Sequence, residues 1–118
     1  MDSLRTVFNE FINRLREKSL KTPVIVEGKN DVKVLQKFGI KNVISISGRN
    51  YFDLLEKISP EVGEVILLTD IDKQGEKIFK KLKEIFENQG LKVDGSFRNY
   101  LKKLEIEEVE ELEKVLLK

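Results

Sequence analysis

Two short apolar runs in this sequence stop at carboxylates, and these acids are the residues best placed to do chemistry. Val24-Ile25-Val26 is followed by Glu27, and Val65-Ile66-Leu67-Leu68 is followed by Asp70 and Asp72. If the runs are neighbouring parallel strands, about 5 Å apart, the three carboxylates can converge at one edge of the sheet. Like charges 4 Å apart repel by about 4 kcal/mol near a protein surface, so such a cluster needs a cation. The pattern therefore predicts a metal site.

The residue types restrict the metal and the chemistry. The chain contains no histidine and no cysteine, which removes the usual zinc ligands, thiol nucleophiles and histidine acid–base catalysis. Oxygen ligands alone favour Mg2+ or Mn2+. Glu76 could join the metal ligands or cap a helix, because acids are also ordinary residues in a first helical turn. That ordinary explanation fits Glu76 well and Asp70 poorly, since Asp70 ends a very apolar run.

Several further residues are candidate phosphate contacts. Gly28 follows Glu27 directly and leaves room beside it, and Lys29 then lies at a helix N-terminus, where backbone N–H groups favour phosphate. Gly75 opens the first turn of another helix to a ligand. Arg49 and Lys73 complete the set, although each of the cations is equally well explained as an ordinary exposed side chain. A P-loop and a dinucleotide-binding glycine pattern are both absent from the sequence.

Apolar periodicity predicts strands that alternate with helices. The predicted strands cover 24–26, 43–46, 65–68 and 91–93, and the predicted helices cover 3–18, 30–38, 50–58, 73–88, 96–104 and 107–117. This alternation predicts an α/β fold, a three-layer α/β/α sandwich around a four-stranded, mainly parallel sheet. We expect a single domain over 1–118, with the N-terminal helix 3–18 and the C-terminal helices 96–117 packed on a core at about 22–94.

Charge and hydropathy give weaker indications. Residues 1–104 carry 20 Lys and Arg against 15 Asp and Glu, whereas residues 105–118 carry 2 against 6. A mildly basic body is compatible with a phosphate-rich partner, but it does not by itself indicate nucleic acid. No apolar run approaches the roughly 20 residues of a membrane span, and no signal peptide opens the chain, so we expect a cytoplasmic protein.

The two acidic motifs together resemble a known family. Glu27-Gly28-Lys29-x-Asp31 followed by Thr69-Asp70-x-Asp72-x-x-Gly75-Glu76 resembles the Toprim domain. That Rossmann-like domain is shared by type IA and type II topoisomerases, bacterial primases, OLD-family nucleases and the maturation nuclease of bacterial 5S ribosomal RNA. The resemblance covers about residues 22–94, and the form of the second motif is closest to the nuclease and type IA topoisomerase members. Ile71 departs from the proline that is common in those relatives.

The resemblance implies roles for these residues. It makes Glu27 the general acid/base beside the scissile phosphate, Asp70 and Asp72 ligands of Mg2+, and Glu76 a further acid. No primase zinc domain and no strand-passage domain accompanies the motifs, so the closest expectation is a small standalone Toprim nuclease that hydrolyses phosphodiester bonds in DNA or RNA.

Two other functions remain open from the sequence. A non-catalytic nucleic-acid-binding or assembly module would keep the Toprim fold and the metal site, and would act through a protein partner or a second copy bound by the C-terminal helices. A phosphoacceptor receiver domain has a similar length, but it fits less well because the last third of this chain is predicted to be helical.

Overall fold

Four short strands form one parallel sheet, and β1 lies inside it, between β2 and β3. The structure is a computed structural model that describes residues 3–115. Its strands are β1 (Val24–Val26), β2 (Val43–Ser45), β3 (Glu64–Leu67) and β4 (Lys92–Asp94), in the order β2-β1-β3-β4. Its helices are α1 (Leu4–Lys18), α2 (Lys29–Lys37), α3 (Tyr51–Glu56), α4 (Lys73–Asn88), α5 (Arg98–Lys103) and α6 (Leu112–Val115), with a 3-10 helix at Val109–Glu111.

The strand register brings the two acidic motifs together. Ile25 of β1 pairs with Leu67 of β3, and Val26 pairs with Ser45 of β2. The residues that follow β1 and β3 therefore leave the sheet side by side. From β1 the chain continues to β2 on one side of the sheet, and from β3 it continues to β4 on the other side. The carboxyl ends of β1 and β3 therefore form the topological switch point, where open α/β sheets bind ligands.

Helices cover both faces of the sheet, as the predicted three-layer sandwich requires. One face packs against α1, α2, α5 and the segment from Ile106 to Val115, with Phe11, Leu15 and Leu101 fully buried. The other face packs against α3 and α4. The sequence prediction of a mainly parallel sheet is confirmed, and all three strand pairs are parallel. Within the described residues, no helix has the length and apolar character needed to cross a lipid bilayer.

Element ends agree with the sequence patterns to within about two residues, except at the C-terminus. The prediction of one helix over 107–117 is wrong: Glu107 and Glu108 are not helical, and the 3-10 helix and α6 follow. The left-handed Glu105 (φ 59°) and two hydrogen bonds from this segment to the β3–α4 loop explain the difference. Leu116, which belongs to the predicted helix 107–117, lies outside the described residues.

Phe52 is a second correction. Helical spacing predicts that it is buried with Leu55 and Ile58, yet 62% of its surface is exposed. Helix α3 has only two turns, and Leu54 takes the fully buried position instead.

Candidate functional site

Glu27 is the first residue after β1, and its carboxylate is already oriented. Its Oε2 accepts a hydrogen bond from the backbone N–H of Asp70 (2.7 Å), which links the two acidic motifs directly. Its backbone carbonyl accepts the N–H of Ser47 (2.9 Å), so the loop after β2 is also attached to it. Burial raises the pKa of Glu27, and the charges of Asp72 and Asp31 raise it further against the effect of the Asp70 hydrogen bond.

Asp70 lies in the loop after β3, among other acids. Its Oδ1 accepts the backbone N–H of Val109 (3.0 Å), so the C-terminal segment helps to hold it. Burial raises the pKa of Asp70 from 3.8 to about 6, and the negative charges of Glu27, Asp72 and Glu108 contribute.

Asp72 caps the long helix α4. Its Oδ1 accepts the N–H of Gly75 (2.6 Å), and its backbone has the extended conformation of an N-cap residue. Capping and metal binding are compatible for this residue, because the cap engages only one of the two carboxylate oxygens.

Asp31 is a member of the acidic group to which the sequence analysis gave no role. It is only 4% exposed, and its Oδ2 accepts the N–H of Gly28 (3.0 Å). Burial raises its pKa from 3.8 to about 6, with help from the charges of Asp70, Glu110 and Glu108. A sequence signal existed: Val34 and Leu35 lie three and four residues later, so Asp31 is on the buried face of α2.

These four carboxylates suit a hard cation by chemistry, but they do not form a closed cage. Each has one oxygen bound to a backbone N–H, and the charges of its acidic neighbours raise the pKa of three of them. Within residues 3–115, no group of three or more acidic side chains is arranged so that it could hold a metal ion. The chemistry of these oxygen ligands suits Mg2+, an ion that keeps several waters and is bound by one or two carboxylates together with substrate phosphates.

Glu76 is paired with a residue that the sequence analysis missed. Its Oε1 forms an ion pair with Arg98 (2.5 Å), and that contact lowers the pKa of Glu76. Arg98 is buried, donates from Nε to the Thr69 carbonyl (3.0 Å) and from a terminal nitrogen to the Asp70 carbonyl (2.9 Å), and lies over the Phe79 ring. It therefore fixes the backbone of the second motif from behind.

The two predicted glycine contacts have different surroundings. Gly75 is buried, and a Cβ there would lie 2.0 Å from the Asp70 carbonyl oxygen, so this position needs glycine for close packing. At Gly28 a Cβ would meet only Asp31, at 3.8 Å, and the space beside Glu27 is open.

The predicted cations are all exposed, but only one shares a groove with Glu27. Lys73 is the first residue of α4, and Lys29 is the first residue of α2. Arg49 and Glu27 both line an open groove of about 580 Å3, which lies between the start of α3 and α4. Arg49 also lines a second groove, of about 390 Å3, together with Lys29.

Comparisons with known proteins identify the family of the chain. A family model described as the Toprim domain matches residues 22–108, a span that contains both acidic motifs and Arg98. The Toprim domain is a metal-dependent fold with nucleic-acid-related functions, and Toprim domains generally bind Mg2+.

Individual relatives cover most of the chain. A UPF0292 protein of Methanocaldococcus jannaschii is 37% identical over 92 residues, which are 76% of this chain and 72% of the relative. A UPF0292 protein of Pyrococcus horikoshii is 35% identical over 94% of this chain and 85% of its own length. A solved structure of a protein from Aquifex aeolicus superposes with a TM-score of 0.83 at 47% identity, covering 87% of this chain and 95% of that one. Together with the switch-point acids described above, these matches show that the chain belongs to the Toprim domain family.

Proposed function

We propose that this protein catalyses Mg2+-dependent phosphoryl transfer on nucleic acid, as a Toprim nuclease that hydrolyses phosphodiester bonds. The observation that carries the proposal is the position of Glu27. This carboxylate is oriented by the Asp70 N–H, lies beside three other acids and lines an open groove.

Glu27 suits the role of general acid/base. Its raised pKa brings the carboxyl closer to the pH at which it can both accept and release a proton. The hydrogen bond from Asp70 occupies Oε2, which leaves Oε1 for a water molecule or a leaving oxygen. Glu27 can therefore exchange a proton at the groove without losing its orientation.

Asp70 and Asp72 are the residues proposed to hold Mg2+, with Asp31 as buried support. When bound, Mg2+ supplies charge stabilisation at the phosphate and activation of water. Glu76 serves this site through Arg98 in the present arrangement, so we assign it a positioning role in preference to metal binding. Lys29, Arg49 and Lys73 are proposed to contact phosphates of the substrate.

The alternative function, a nucleic-acid-binding or assembly module without catalysis, has one specific observation in its favour. Among the described residues, no group of three or more acids is arranged so that it could hold a metal ion. A module of this kind would bind nucleic acid through the same grooves and would depend on a protein partner for any reaction.

A cleavage assay separates the two functions. Wild type and Glu27→Gln are incubated with Mg2+ or Mn2+ and end-labelled single-stranded, duplex and structured RNA and DNA. We expect wild type to cleave at least one substrate and Glu27→Gln to be slower by about 100-fold or more, since general acid–base catalysis contributes about that factor. Glutamine keeps the acceptor for the Asp70 N–H, so folding is preserved.

Glu56→Gln is the matched control, because Glu56 is exposed at the end of α3 and outside the acidic group. Equal cleavage by wild type and Glu27→Gln would point to a contaminating nuclease and would contradict the proposal. Nucleic-acid binding without cleavage by wild type would favour the module.

A further inference from the structure

The groove beside Glu27 has a wall that acid–base and metal chemistry do not require. Ile46, Ile78 and Ile85 line it with apolar surface, and Phe52 stands at its rim with 62% of its surface exposed. The other large apolar side chains that are exposed within residues 3–115 are Leu20 (77%) and Leu4 (36%). An exposed aromatic ring at the edge of an apolar groove is a surface on which a flat ring can stack.

Two polar side chains of α4 line the same groove beside that surface. Gln74, in the first turn of α4, lines the same groove and carries both a hydrogen-bond donor and an acceptor. Lys81 lies two turns further along α4 and also lines it. The apolar side chains and the Phe52 ring can contact the face of a nucleobase, and the Gln74 amide can form hydrogen bonds with its edge.

Unpaired cations continue from this groove along the edge of the sheet. Arg49 lines the groove beside Glu27 and also the second groove, next to the edge strand β2, whose other cations are Lys29, Lys33 and Lys57. The second groove has no acidic lining residue, and none of these four cations forms an ion pair with any described residue. The charge is complementary to a phosphate backbone.

The loop that joins the grooves is fixed to the catalytic strand end. Ser47 donates its N–H to the Glu27 carbonyl (2.9 Å), and Arg49 donates its N–H to the Ile46 carbonyl (2.8 Å). The Phe52 N–H in turn is bound by Asn50 Oδ1 (2.8 Å). A base held against Phe52 would therefore keep its neighbouring phosphate close to Glu27.

We infer that the two grooves bind a single strand of nucleic acid, with one unpaired base stacked on Phe52 beside Glu27 and the backbone crossing Arg49 toward the three lysines. This inference rests on the proposed function and names its substrate class as unpaired nucleotides. In a duplex the bases are stacked and paired, so they cannot enter the groove without being flipped out.

Binding without turnover tests the inference. Fluorescence anisotropy is measured in EDTA with fluorescein-labelled 12-nucleotide oligo(U), oligo(dT) and a 12-base-pair duplex. We expect one or both single strands to bind at least about fivefold more tightly than the duplex. We expect Phe52→Ala to weaken single-strand binding by about fivefold or more, as the loss of base–aromatic stacking would. Arg49→Ala should weaken binding of all probes and reduce the salt slope by about one phosphate contact.

Two controls lie at the opposite end of the strands. Leu20→Ala removes another exposed apolar side chain, and Lys41→Ala removes another exposed cation; both should bind like wild type. Equal binding by Phe52→Ala and wild type, preference for duplex, or no binding of any probe would overturn the inference. If one of these outcomes is found and Glu27→Gln still loses cleavage, the proposed nuclease function is kept and the inference about a single strand is rejected. If no cleavage is found but single-strand binding depends on Phe52, the inference stands and hydrolysis does not.

Discussion

At the scale of single residues, the acidic group is held by neutral backbone donors and not by cations. Glu27, Asp70 and Asp72 each accept one backbone N–H, and so does Asp31. These bonds orient the carboxylates but do not neutralise them. In the metal-free protein, the repulsion between these charged and partly desolvated carboxylates therefore lowers the stability of the fold.

That cost predicts how one variant changes with pH. In Asp70→Asn the amide oxygen can still accept the Val109 N–H, but the charge is gone. The pKa of Asp70 is about 6 in the fold and 3.8 by ordinary value. Between pH 3.8 and about pH 6 the unfolded state therefore binds fewer protons than the folded state does. The contribution of Asp70 to the free energy of unfolding falls as the pH rises through that window. We expect the variant to be more stable than metal-free wild type at pH 8 by about 1–2 kcal/mol, after allowance for the half-exposed carboxyl.

Urea denaturation of both proteins at pH 4, 6 and 8 in EDTA measures this difference. Most of the stabilisation should be lost at pH 4, where Asp70 is protonated in the fold and its unfolded-state carboxyl is near its ordinary pKa of 3.8. Mg2+ should raise the stability of wild type more than that of the variant. A variant that is less stable than wild type at pH 8 would mean that Asp70 acts chiefly as a structural hydrogen-bond acceptor.

Gly75 gives a second prediction at this scale. The alanine Cβ would lie 2.0 Å from the backbone oxygen of Asp70, and a backbone atom cannot swing aside as a flexible side chain can. We expect Gly75→Ala to lower the free energy of unfolding by about 2 kcal/mol or more. Gly63→Ala is the matched control, because a Cβ there meets nothing within 4 Å and its stability should be unchanged or slightly higher. Equal urea midpoints for the two variants would contradict the close approach.

At the scale of elements, α5 supports the second acidic motif through Arg98. The Arg98 guanidinium donates to two consecutive carbonyls of the β3–α4 loop and forms an ion pair with Glu76 of α4. Lysine has one point charge in place of the planar fork, so it cannot make these three contacts together. We expect Arg98→Lys to lower the free energy of unfolding by about 2–4 kcal/mol and to weaken cleavage.

We expect Glu76→Gln to destabilise the protein less than Arg98→Lys does. The comparison separates the contacts of Arg98 with the loop carbonyls from its ion pair with Glu76. Half of the Glu76 side chain is exposed (46%), and exposed pairs contribute about 1 kcal/mol or less. Circular dichroism melts of both variants give the comparison. If Glu76→Gln destabilised the protein as much as Arg98→Lys, the carbonyl contacts would be of minor importance.

The same elements show what a single sequence can and cannot predict. The parallel sheet and the meeting of Glu27 with Asp70 follow from apolar runs that end at acids, because parallel strands place their carboxyl ends together. Arg98 could not be found in this way, since an arginine in a short amphipathic helix has the same local pattern whether it points to solvent or to a loop. Phe52 was misplaced for a similar reason: helical spacing defines a face, but the short α3 buries only part of that face.

At the scale of the whole molecule, the C-terminal segment belongs to both the core and the site. Ile106, Val109, Leu112 and Val115 are buried in the cluster that covers one face of the sheet. The Glu107 carbonyl accepts the N–H of Ile71 (2.6 Å), and the Val109 N–H is bound by Asp70. The acidic charge of the segment therefore lies close to the acidic group, while its apolar side covers the sheet.

Truncation after Glu105 tests this double role. It removes four buried apolar side chains, each worth about 1.5–3 kcal/mol, and this sum rivals the 5–15 kcal/mol stability of an ordinary domain. We expect the truncated chain to unfold or aggregate, as seen by circular dichroism and sedimentation. Leu112→Ala, which keeps the backbone contacts to Asp70 and Ile71, should remain folded and lose about 2–4 kcal/mol. A truncated chain that melts like wild type and changes only its oligomeric state would instead identify residues 106–118 as a detachable arm for a second copy or a protein partner.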